Sequence, residues 1–301
     1  MSREASNVPG LEGRRRATSG VSPWHDALRR LHRNRLAMLG VLVLAGFILS
    51  AVLAPWIAPF PFDRTNLRDG AKPPTRAHLL GTDELGRDLL TRILYGARIS
   101  FAVGILATLV SLTIGVTYGS VAGSKGGRVD HLMMRVVDIL YGLPFMFFVI
   151  ILMVIFGRNI LNLFVALGAV QWLTMARIVR GQVLSLKTRE FVLSAQAIGA
   201  SPARLLVRHV LPNALGPIVV YTTLTVPGVM LEEAFLSFLG LGVQPPMASW
   251  GSLASEGAAA MESYPWLILF PGLALTVTLL SLNFLGDGLR DALDPQVTSG
   301  R

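Results

Sequence analysis

Six stretches of this chain are too long and too apolar for a soluble fold. They cover residues 36–57, 99–122, 136–156, 161–178, 215–235 and 264–285. A helix needs about 20 residues to cross ~30 Å of hydrocarbon at 1.5 Å per residue. Lipid offers the backbone no hydrogen-bond partner, whereas a helix pairs its own N–H and C=O groups. The runs therefore predict an all-α integral membrane protein with six transmembrane helices. Composition agrees, with 52% hydrophobic and 15% charged residues and a mean hydropathy of +0.56; soluble domains carry about a quarter charged residues. The run 161–178 is short and holds Asn162 and Gln171. It reads as a span or a re-entrant segment, and a span keeps the helix parity consistent with the charges. Pro144, Pro217, Pro227 and Pro271 fall inside the runs, where membrane helices tolerate proline better than soluble ones.

The net charge is +9, from 27 Lys and Arg against 18 Asp and Glu. The arginines stand between apolar runs rather than on one basic face, which points to anionic membrane lipid and not to nucleic acid. Most of them fall on one side if both termini are cytoplasmic, the side that positive charge prefers. The expected location is a bacterial inner membrane. The expected division is a cytoplasmic basic segment (1–35), a first transmembrane helix (36–57) and an extracytoplasmic segment (58–98). A five-helix core (99–286) with a cytoplasmic loop (179–213) and a cytoplasmic tail (287–301) follow. The first run exceeds the apolar part of a signal peptide and follows 35 residues, so it is expected to stay as an anchor. The Gly/Ser/Arg-rich residues 1–22 are expected to be disordered.

The chain holds no cysteine, which removes disulfides, thiolate metal sites and a cysteine nucleophile. His25, His32, His78, His131 and His209 show no metal-ligand spacing, so no metal site is expected. No G-x-x-x-x-G-K-[ST] stretch is present to cradle nucleotide phosphates, and GSKGG at 123–127 reads as a loop. No catalytic residues and no cofactor are expected in this chain. Glu232 and Glu233 end a long apolar run, and a carboxylate at membrane depth is a candidate for function. Adjacent helix positions point apart, so one role for both is not expected. Glu233 is the candidate for the translocation pathway, with an interfacial carboxylate as the alternative. Arg135 and Asp138 are spaced for an i,i+3 pair, and Asp287, Arg290, Asp291 and Asp294 for solvated pairs in the tail. Asp83, Arg87 and Asp88 read as a salt-bridged cap or a substrate contact. Trp56, Trp250 and Trp266 lie near span ends, as interfacial anchors do.

The polar segment 177–213 is far longer than a connection between spans requires. Phe191, Ala195 and Ile198 mark a helix over 190–198. Gly199 supplies a C′ position where positive φ is free of strain, Ser201 an N-cap and Pro202 an N1 residue. A short second helix is expected through Leu205, Leu206, Val207, Val210 and Leu211, and Pro212 closes the polar segment. Leu205, Leu206 and Val210 are expected to need a partner surface. These signals leave open a loop lying on the bilayer and a docking element for a cytoplasmic partner.

REFVLSAQAIGASPARLLVRHVLPN at 189–213 resembles the cytoplasmic-loop signature of permease subunits in binding-protein-dependent ABC importers. Ala195, Gly199, Leu211 and Pro212 match in register. Leu193 stands in place of the signature Glu, Ser194 in place of the first Ala, and His209 in place of the Ile. HLLGTDELGRDLLTRILYGARIS at 78–100, EAFLSFLGLGVQPPMASWG at 233–251 and NFLGDGLRDALDPQ at 283–296 resemble segments of the dipeptide, oligopeptide and nickel branch, C-type. The resemblance implies a permease for peptides or similar small solutes, nickel chelates included. It implies a heterodimer with a second homologous permease subunit, two cytoplasmic ATP-binding subunits that carry ATP and Mg, and an extracytoplasmic solute-binding protein. It also implies that Gly199, Ala200, Ser201, Pro202, Ala203, Arg204 and Leu205 belong to a coupling helix seated on an ATPase, with Ala195, His209, Leu211 and Pro212 in the same element. A secondary transporter or channel would need paired charges deep in several spans and an inverted repeat. A membrane-anchored scaffold would need a large soluble domain. Neither feature stands out in the sequence.

Overall fold

A computed structural model describes residues 23–293, so the expectations for 1–22, Asp294 and the end of the tail lie outside the described residues. Helix α1 (Pro23–Arg33) is followed at once by α2 (Arg35–Ile57), whose N-cap Asn34 accepts from the N–H of Ala37. The loop 58–88 leads to α3 (Leu89–Lys125). Next come α4 (Gly127–Tyr141), α5 (Phe145–Phe156) and α6 (Ile160–Lys187). The short α7 (Glu190–Ala197) precedes α8 (Pro202–Leu205), which runs through a π turn (Leu206–Val210) into α9 (Leu211–Phe238). Helices α10 (Trp250–Ala259) and α11 (Trp266–Leu293) complete the described residues. Among the described residues five helices are long and apolar enough to cross a membrane, or six if the bent pair α4–α5 is one span.

The expected spans survive with revised ends. Helix α3 starts at Leu89, ten residues before the expected span. Asp88 caps it by accepting from the N–H of Thr91 at 2.8 Å. Helix α6 continues to Lys187, so residues 179–187 are helix and not loop. The third span is not one helix: α4 and α5 meet at 84°. Gly142 is a poor helix former, and Leu143 precedes Pro144, whose ring disfavours α-backbone at the residue before it. Pro144 then sits at the N-cap of α5, where its missing N–H costs nothing. Pro55, Pro217, Pro227 and Pro271 lie inside continuous helices, as expected of membrane spans.

Helices α3 and α6 approach most closely because α3 offers small residues every fourth position. A Cβ on Gly115 would strike Met175, one on Gly119 the Ala176 carbonyl, and one on Gly123 the Val183 side chain. Small residues at this spacing let two membrane helices bring backbones together. Lys187 closes the C-terminal ends of both helices by donating to the carbonyls of Gly123 (3.2 Å) and Ser124 (2.7 Å). On the other side of α3, Trp250 is fully buried and is not an interfacial anchor. Its ring N–H donates to Ile93 O at 3.0 Å, and Phe47 and Phe101 stand edge-on to it at 5.5 and 5.6 Å. Trp56 is 76% exposed on the outer surface of α2, where an interfacial ring belongs.

Candidate functional site

The chain brings its polar groups together at three places. The first is the loop 188–210. Its turn is a Schellman motif: Ala200 N–H donates to Ala195 O at 3.1 Å and Gly199 N–H to Gln196 O at 3.0 Å. Gly199 has φ +86, a backbone angle that L side chains resist. Ser201 then caps the next helix, accepting from Arg204 N–H, with Pro202 at its first position. Ser201, Pro202, Ala203 and Arg204 form an exposed tip, while Ala200, Leu205, His209 and Leu211 are half-buried.

Two expectations about this loop need correcting. Pro212 does not end the second helix. It lacks an N–H, and the turn before it widens so that Leu211 N–H reaches back to Leu206 O. Helix α8 is therefore the first turn of a helix continuous to Phe238. Leu205, Leu206 and Val210 do not wait for a partner either. They pack within the chain against Val192, Val183 and Ala214. The apolar side chains left in the open are Phe191, Leu193, Ile198 and Val207, of which Ile198 at 88% and Val207 at 65% are the most exposed.

The second place is a cleft of about 420 Å³ between the α4–α5 break, α6 and α9. Glu232 reaches into it from α9. Gln171 Nε2 on α6 donates to both its carboxylate oxygens, at 2.7 and 2.8 Å. Lower on α6, Thr174 Oγ1 lies 3.5 Å from the Tyr141 hydroxyl. Arg177 pairs with Asp138 at 2.7 Å and covers the Tyr141 ring at 4.3 Å. Asp138 thus pairs across to α6 and not with Arg135, since the facing guanidinium lies in closer reach. Arg180 grips Asp130 with two bonds of 2.5 and 2.7 Å in the same α4–α6 seam.

Glu233 points the other way. It is fully buried and accepts from Ser237 Oγ and Ser249 Oγ, each at 2.6 Å. Ser249 is itself the N-cap of α10. Glu233 therefore ties the end of α9 to the start of α10, and occupies neither an open pathway nor an interface. The Gln171–Glu232 pair is the feature that sequence reasoning missed. Its trace was one polar residue within each of two apolar runs, Gln171 and Glu232, with nothing local to pair them.

The third place is the end of the bundle opposite the hairpin. Arg92, 3% exposed, donates to Asp83 at 2.8 Å and to Glu256 at 2.6 Å. Arg87 donates to Asp83 at 2.6 Å, and His78 lies 2.9 Å from Asp88. These residues clamp the loop 58–88 onto α3 and α10, so the cap reading of Asp83, Arg87 and Asp88 holds. Among the described residues, no cluster of His, Asp or Glu suits a metal ion.

This geometry defines a polytopic α-helical membrane protein with a polar cleft inside the bundle and an exposed helical hairpin at one end, the arrangement of a transport subunit. Residues 115–299 match the family described as binding-protein-dependent transport system inner membrane component, and the chain belongs to that family. Residues 22–74 match the N-terminal transmembrane domain of oligopeptide transport permease C. The chain is 51% identical to the oligopeptide transport system permease protein OppC of Haemophilus influenzae, over 92% of this chain and 90% of that one. It is 48% identical to the dipeptide transport system permease protein DppC of Bacillus subtilis, over 92% and 87%. Among solved structures, an inward-facing form of the MetNI methionine ABC transporter aligns with TM-score 0.57 and 19% identity, covering 68% of this chain and 96% of that one, which supports the fold. The chain is thus an ABC importer permease subunit, and the channel, secondary-transporter and scaffold readings are set aside.

Proposed function

We propose that this chain forms half of a peptide-translocating pore, paired with a second homologous permease subunit. The permease has both termini in the cytoplasm. Two cytoplasmic ATPases bind ATP and Mg and perform the hydrolysis, and an extracytoplasmic binding protein delivers the solute. The observation that carries the coupling part is the Schellman turn at Gly199, which presents the Ser201–Arg204 tip beside exposed Ile198 and Val207. Exposed apolar groups at the tip gain packing from a partner surface. Because α8 continues into α9, a push on the tip is transmitted along one 37-residue helix to Glu232. The peptide part rests on similarity to oligopeptide and dipeptide permeases. Purifying the tagged chain from its native membrane should bring down both ATPases and a second permease. Proteoliposomes holding that complex, its binding protein and internal ATP should accumulate labelled trialanine. Copurification of the chain alone, or uptake that ignores ATP, contradicts the reading.

A further inference from the structure

We infer that Glu232, oriented by Gln171, is a recognition point for a primary ammonium group on the transported solute. The inference rests on the reading of this chain as a peptide permease subunit. Glu232 lies six residues before the end of α9, about 9 Å along the helix axis at 1.5 Å per residue. It lines the cleft beside the α4–α5 break and also a second cleft of about 480 Å³ bordered by Met146 and Phe235. A side chain that borders both clefts meets whatever passes between them.

The chemistry of the pair selects the ligand. An ionised carboxylate offers about four lone-pair sites, and the single amide nitrogen of Gln171 occupies two. Gln171 fixes both oxygens without neutralising them. Among the described residues no Lys, Arg or His forms an ion pair with Glu232, although Arg177, Arg180 and Arg92 all find carboxylates. The first cleft sets Tyr141 and Thr174 among apolar side chains such as Leu143 and Phe145, and the second is lined almost wholly by apolar side chains such as Phe235 and Phe238. A lone carboxylate in such surroundings attracts a cation strongly, because few waters compete. One carboxylate and one amide make too few ligands for a divalent metal, which takes six or more oxygens when hard. A compact ammonium with three donors fits the two free lone-pair sites. The amino end of a peptide carries that group, and its carboxylate end is repelled.

The cysteine-free chain permits a direct test. The complete importer, its other subunits freed of cysteine, is reconstituted with Glu232→Cys and assayed for labelled trialanine uptake. The substitution should lower uptake about tenfold or more, the size of one lost charge-assisted hydrogen bond. Attaching an anionic sulfonatoethyl group to that cysteine should restore most of the uptake, and a trimethylammonium-ethyl group should leave it low. If Glu232→Cys transports like the parent, or both adducts behave alike, the carboxylate recognises no cation and the inference is wrong. If the unmodified parent complex takes up no trialanine, the peptide reading itself fails and this inference falls with it.

Discussion

Two adjacent glutamates divide two roles, and the division follows from direction alone. Glu233 faces inward to Ser237 and Ser249, and Glu232 faces the cleft. Removing the Glu233 carboxyl strands two buried hydroxyls, each costing about 1–3 kcal/mol. Glu233→Ala should therefore lower the melting temperature of the detergent-solubilised complex. Glu233→Gln, whose carbonyl accepts the same bonds, should melt and transport like the parent. Equal melting of the alanine variant would remove the structural role. Arg92→Ala should cost about 3 kcal/mol, the low end for breaking a buried pair, because Asp83 keeps Arg87. A melting curve unchanged by that substitution would contradict the clamp. At this scale the sequence reads well where partners are near. Asp88 capping Thr91 and Ser201 capping Arg204 follow from short spacings. It reads poorly across the fold: Asp138 finds Arg177 thirty-nine positions away, and Glu232 finds Gln171 sixty-one away.

The helices show why proline alone does not announce a break. Pro144 ends a helix and Pro212 does not. Before Pro144 stand Gly142 and Leu143, and the chain turns there through 84°. Before Pro212 the helix widens by one residue, and packing of Val210 and Ala214 on α6 and α7 holds it straight enough to continue. Apolar run length established that spans exist; tertiary packing decided where they start and bend. Trp250 carries the same lesson, since its position near a span end suggested an anchor while Phe47 and Phe101 bury it. The Gly199 turn was legible because φ +86 and its two hydrogen bonds are local chemistry. Gly199→Val places a β-branched residue at positive φ, a strain of about 1–3 kcal/mol. The variant should insert and assemble its spans normally but lose transport. Wild-type uptake from Gly199→Val would show that the turn geometry is dispensable.

Across the whole molecule, three regions share one frame. The close α3–α6 pair forms the frame, the clamp of Arg92 closes one end, and the hairpin around Gly199 projects at the other. Reporter fusions after Arg301 and at Gly257 should report cytoplasmic and external positions. An external reading after Arg301 would invert the molecule and place the hairpin away from any ATPase. The central claim is that the hairpin tip transmits work from the ATPase to the pore. Because the chain has no cysteine, a single one at exposed Ala203 is unambiguous. Paired with cysteines across the ATPase surface in native membranes, Ala203→Cys should form a disulfide with a confined set of ATPase positions, and that disulfide should block uptake. If Ala203→Cys links to no ATPase position while other subunit contacts cross-link, the hairpin is not the coupling element.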